Sequence, residues 1–162
     1  MKVSFDKLED AMLISSDEIS HWVDKKTGNV IFISSEFLDD EDYFADEAEL
    51  EAAREILMMC GEIERDENIE IDENRYLEVV QPHSGEKWKW MEEFALSQQH
   101  NSQLFDKLAD ALRGKKPFRK FKDVLIYQSE AEQKWFEFEA QKLREFIKDW
   151  AESKNIEIDF SN

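Results

Sequence analysis

The chain has few of the residues that cross-link, break or loosen a fold. Its 162 residues include one cysteine, two prolines and four glycines. A lone Cys60 excludes an internal disulfide, and no Cys/His spacing suits zinc. So little Gly and Pro leaves little room for linkers. All four glycines fall at expected turns or helix ends, so none is free to cradle a phosphate. No apolar run approaches the ~20 residues that a membrane helix needs. Met1 to Asp10 carries charge and helical periodicity in place of an apolar leader, which makes a cytoplasmic location the expectation. His21, His83 and His100 stand far apart, and G-x-S-x-G, H-E-x-x-H and C-x-x-C are all missing. No catalytic, cofactor-binding or metal-ligating set is therefore expected.

Large apolar groups are present in quantity. Twelve Phe, five Trp and three Tyr recur at helical or strand spacing, which disordered acidic chains do not show. A single α+β domain over 1–162 is expected, burying ~70% of the unfolded surface. Charge is distributed unevenly along it. Residues 1–83 hold 24 acidic and 7 basic side chains, whereas 84–162 hold 15 and 14. The acidic half repels bare nucleic acid and attracts a basic protein surface. Its densest part, Glu36 to Glu51, has nine carboxylates and no base. Asp39, Asp40, Glu41 and Asp42 there form a candidate docking run. The run lacks the alternating ligands and central glycine of a calcium loop, and a solvated acidic face is its plainest role.

Periodicity predicts the elements. A helix capped by Ser4 runs to about Ile14, with Phe5, Leu8 and Met12 on one face. His21 to Asp24 and Asn29 to Ser34 form a hairpin turned at Gly28, a position that calls for positive φ. The continuously apolar Val30 to Ile33 reads as a central strand. A helix from Asp46 passes Leu50, Ala53, Leu57 and Cys60 to stop at Gly61. Asn68 to Asp72 and Tyr76 to Gln81 read as strands, the latter closed by Pro82. Helices follow, marked by Trp88, Met91 and Ala95, then by Leu104, Leu108 and Leu112. Pro117 opens the next helix. The last helix has a Ser129/Glu132 capping box and a stripe of Phe136, Ala140, Leu143, Ile147 and Trp150. Alternation at Ile156, Ile158 and Phe160 predicts a closing strand. Together these predict a small antiparallel sheet with several helices packed against it.

The most distinctive local feature is cationic. Arg113, Lys115, Lys116, Arg119, Lys120 and Lys122 lie within ten residues, interleaved with Gly114, Pro117, Phe118 and Phe121. A helix from Pro117 anchored by Phe118 and Phe121 turns its cations outward. Such a patch binds phosphates or a partner's carboxylates, or else pairs with the acidic half. The surplus of carboxylates favours the internal pairing. Trp88 and Trp90 occupy different faces of their helix, as do Trp135 and Phe136, so one or two Trp residues are candidates for a contact surface.

Leu104 to Trp135, LFDKLADALRGKKPFRKFKDVLIYQSEAEQKW, resembles the uncharacterised bacterial family UPF0158. That family has an alanine-rich helix, Gly, a stretch of the form F-R-R-F-K-D-x-L, and a helix with an early Trp. Phe118, Arg119, Lys120, Phe121, Lys122, Asp123 and Leu125 match it, with Lys120 replacing Arg. Val23 to Val30 is similar to the family's hairpin, and Arg75-Tyr76-Leu77 and Met91 to Phe94 fall on like residues. The chain departs at Val80-Gln81-Pro82 and in its acidic Glu36–Glu51 stretch. The resemblance, from about Leu8 to Trp150, implies one domain and a bacterial or phage origin. It implies no activity, substrate or cofactor.

The expected function is that of a non-enzymatic binding or regulatory protein contacting another macromolecule. The partner expected is a protein, with direct nucleic-acid binding disfavoured and no membrane. An acidic inhibitor mimicking nucleic acid is the alternative, and an enzyme whose site is assembled only in space is a third.

Overall fold

The computed structural model describes residues 1–14, 19–34, 47–60 and 74–161. Its element order is β1 (Lys2–Ser4), α1 (Phe5–Leu13), β2 (Ser20–Asp24), β3 (Val30–Ile33), α2 (Glu47–Cys60), β4 (Tyr76–Glu78), α3 (Ser84–Ser97), α4 (Ser102–Arg113), α5 (Pro117–Ile126), α6 (Ser129–Ser153) and β5 (Glu157–Asp159). The fold is α+β and mostly helical. Two compact units arise: Met1–Gln81 with Ile147–Asn162, and Pro82–Phe146. The expected strand at Asn68–Asp72, the stop at Gly61 and the run Asp39–Asp42 lie outside the described residues.

In the first unit, β2 pairs antiparallel with both β3 and β4, in the order β3-β2-β4. The register sets Trp22 opposite Ile31 and Glu78, and His21 opposite Phe32. Side chains alternate across the sheet, so Trp22, Asp24, Ile31, Ile33 and Tyr76 share one face. That face packs on Ala52, Ala53, Ile56 and Leu57 of α2. His21, Val30 and Phe32 occupy the other face.

Central placement of β3 is not observed: among the described strands it is an edge, and β2 is central. The continuous apolar run has another cause. Helix α2 contacts β3, and so does α1. An edge strand with helices against it needs apolar residues at successive positions, as a central strand does.

Strand β1 was not legible in the sequence, where Met1 to Asp10 reads as helical. It pairs parallel with β5, Val3 opposite Ile158, so the described sheets are one antiparallel and one parallel. Three residues are too few for a period to emerge, and the partner strand lies at the far end of the chain. The Lys2 ammonium meets the Asp159 carboxylate at 3.2 Å, and Phe5 stacks on Phe160 at 5.3 Å.

The second unit is helical. Trp90, Met91, Phe94 and Ala95 are buried on α3, and Leu104, Leu108 and Leu112 on α4. Trp135 of α6 meets Phe121 at 5.0 Å and Phe94 at 5.3 Å, both edge-on. Of the two tryptophans that the sequence sets on different faces of α3, Trp90 is in the core; Trp88 is half-buried and donates its indole N–H to the Leu112 carbonyl at 3.4 Å. The expected α6 stripe holds at Leu143, Ile147 and Trp150 but not at Phe136, which is 53% exposed, nor at Ala140. Trp135, 1% exposed, takes the buried position. On a straight helix Phe136 stands only ~40° round from Trp150, so helical drift does not displace it. The buried face at this end is set by Phe94 and Phe121, against which Trp135 packs.

Candidate functional site

The cationic segment forms the turn between α4 and α5. Asn101 begins α4, its side chain accepting from the Leu104 N–H at 3.2 Å. The helix ends at Arg113, and Lys116 takes the left-handed conformation, φ 56°, that brings the chain round. Pro117 then occupies the first turn of α5, where its missing N–H costs nothing. Phe121 and Leu125 are fully buried and hold the helix down, while Phe118 is only half-buried.

Arg113, Lys115, Lys116, Arg119, Lys120 and Lys122 are all exposed. Arg119 reaches Asp123 of its own helix at 3.9 Å, a surface pair worth little. Among the described residues, the other five cations make no ion pair. Lys120 is distinct in position. A Cβ placed on Gly114 would stand 3.1 Å from its ammonium and 3.5 Å from the Asp110 carbonyl oxygen. Lys120 thus overhangs the last turn of α4, whose carbonyl ends favour a cation. At the opposite end of α5, Ile126 and Tyr127 are exposed, Tyr127 by 84%.

The histidines remain apart. His83 and His100 are exposed, and His21 is buried. Among the described residues no group of three metal-ligating side chains occurs. Of the five tryptophans, four are buried and Trp88 is half-buried.

Two features of the first unit were not found from sequence. Asp24, 3% exposed, accepts from the Lys26 N–H at 2.8 Å and from Arg75 Nη2 and Nε at 3.1 and 3.3 Å. Arg75 also faces Glu55 at 3.5 Å, and the Tyr76 hydroxyl donates to the same Glu55 oxygen at 2.8 Å. Burial pushes the Asp24 carboxyl up, but the Arg75 hydrogen bonds and charge, with Lys26 and Thr27, outweigh it and hold it below the ordinary range. Burial and the bond to Glu55 push the Tyr76 phenol well above its usual value. The network ties the hairpin to α2 and β4. Asp24 and Arg75 are 51 residues apart, and nothing in their local spacing pairs them.

The second feature is a cavity of about 490 Å³ on the opposite face of the hairpin. Lys7, Asp10, Ala11 and Ile14 line it from the α1 side, at i, i+3, i+4 and i+7. His21, Val30 and Phe32 line it from the sheet, with Ile19 just ahead of β2. The His21 and Phe32 rings lie 6.0 Å apart. Burial pushes the His21 imidazole below its usual pKa, so the ring is neutral at neutral pH.

The protein is thus of the α+β class, with a charged turn in one unit and an apolar cavity in the other. The profile of the uncharacterised protein family UPF0158 matches residues 60–162, and the chain belongs to that family. A UPF0158 protein of Pseudomonas aeruginosa is 27% identical over 157 residues, covering 97% of this chain and 86% of its own length. No solved structure matches the chain significantly.

Proposed function

We propose that this chain is a non-enzymatic cytoplasmic binding protein that docks another protein through the cationic turn between α4 and α5. One observation supports the reading above the rest: six exposed cations crowd this turn, and among the described residues only Arg119 has an ion-pair partner. Leaving five cations close together is electrostatically costly, and a partner's carboxylates or phosphates relieve that cost. Residues 82–146 carry 12 basic and 11 acidic side chains, so the turn is not overwhelmed within its own unit. The first unit, with 28 acidic and 9 basic residues, suits a basic surface on the partner. A free polyanion meets repulsion from that unit, which favours a protein partner over nucleic acid.

The test is capture from nuclease-treated native lysate with wild type and with the Lys115→Gln, Lys116→Gln, Arg119→Gln, Lys122→Gln variant. Lys120 is kept because it overhangs α4. The expected result is a protein captured by wild type at low salt and lost with the variant at unchanged melting temperature. Equal capture by both removes the turn from the interface, and capture seen only in a parallel lysate without nuclease points to nucleic acid instead.

A further inference from the structure

The cavity beside His21 has the size and lining of a small-molecule site. Its volume of about 490 Å³ falls in the range of ~300–1,000 Å³ typical of such pockets. We propose that it binds a small amphipathic cation, a primary amine or ammonium compound bearing an aromatic or branched aliphatic body. The site lies in the first unit and does not involve the cationic turn.

The body of the ligand is set by the walls. Ala11 and Ile14 come from α1 and its C-cap, Val30 and Phe32 from β3, and Ile19 stands just before β2. Ile14 remains 56% exposed, so apolar surface here stays in contact with water that a ligand's hydrocarbon would displace. The Phe32 ring adds a π-face of the kind that attracts ammonium groups.

The head group is set by charge. Lys7 and Asp10 stand on one turn of α1, and neither makes an ion pair among the described residues. Their charges are opposite, so the local rim is close to balanced and the wider field decides the sign. Among the described side chains of the unit that field comes from 12 acidic and 8 basic groups, and clefts with apolar walls focus such fields. A cation is drawn in and an anion is turned away. Neutral His21 has no ring hydrogen bond to a described residue, and one of its nitrogens is an acceptor for an ammonium N–H.

Titration of isotope-labelled full-length protein with 2-phenylethylammonium and with 3-phenylpropionate tests the proposal, the two probes having like bodies and opposite charge. The expected result is saturable shifts at Ile14, His21, Val30 and Phe32. The ammonium should bind about fivefold more tightly at low salt, the ratio falling toward one as salt screens the field. Asp10→Asn should weaken ammonium binding about two- to fivefold, and Lys7→Gln should strengthen it by a similar factor. Both positions are exposed on α1, and the probe comparison on wild type needs no variant. Equal or tighter binding of the propionate, shifts centred elsewhere, or binding of a basic peptide without binding of the amine would each overturn the proposal.

Discussion

Gly28 closes the hairpin at φ +78°, its N–H donating to the Asp24 carbonyl at 2.7 Å. A Cβ there would collide with the Lys2 carbonyl oxygen. Gly28→Val should therefore destabilise the protein by at least ~1–3 kcal/mol in urea melts, since strain and collision act together. Gly114 offers the contrast. Its backbone is ordinary, and an added methyl meets the movable tip of Lys120. Gly114→Ala should stay within ~0.5 kcal/mol. Asp24 supplies a pH dependence. Its folded pKa lies below the unfolded value, so its contribution is complete above ~pH 5 and is lost as pH falls through the unfolded and then the folded pKa. Asp24→Ala should cost ~1–3 kcal/mol at neutral pH, because it removes both hydrogen bonds to the partly buried guanidinium and leaves it only Glu55 at 3.5 Å. The gap between wild type and Asp24→Ala should narrow as pH falls from 5 to 2.5. A gap that stays constant over that range would remove the ionised carboxylate from the network.

At the scale of elements, α6 is the most informative. Trp135 and Phe136 are adjacent and both aromatic, yet one is 1% and the other 53% exposed. Trp135→Ala should cost ~3–5 kcal/mol and Leu143→Ala ~2–5 kcal/mol, whereas Phe136→Ala should lie within ~0.5 kcal/mol. Denaturant melts of the three variants check the order. A Phe136→Ala cost matching that of Trp135→Ala would restore the seven-residue stripe. The hairpin, the helix at Leu104 to Leu112 and the proline-initiated α5 were all readable from local signals. The parallel pairing of β1 with β5 was not, since no residue in either three-residue strand encodes its distant partner.

Across the whole molecule the net charge of −18 is held almost entirely by the first unit. Self-repulsion of that kind is screened by salt. The melting temperature should rise as NaCl increases from ~10 to ~200 mM, because the Debye length falls from ~30 Å to under ~8 Å. Calorimetry showing a flat or falling midpoint would mean that the acidic residues are already neutralised by partners within the fold. Neutralising Asp39, Asp40, Glu41 and Asp42 together should raise the low-salt midpoint and flatten its salt dependence. It should also weaken capture of a partner whose basic surface docks on the acidic unit.

The amino-acid sequence by itself determined the α+β class, the family, the positive φ at Gly28 and the cationic turn opened by Pro117, because each depends on residues close together in the chain. Only the tertiary structure decided that β3 lies at the edge of its sheet, that Trp135 replaces Phe136 in the core, and that Asp24 meets Arg75. It alone also brought the α1 stripe against His21 to enclose a cavity. Such features depend on which faces meet in space, and periodicity reports only that a face is apolar, not what covers it.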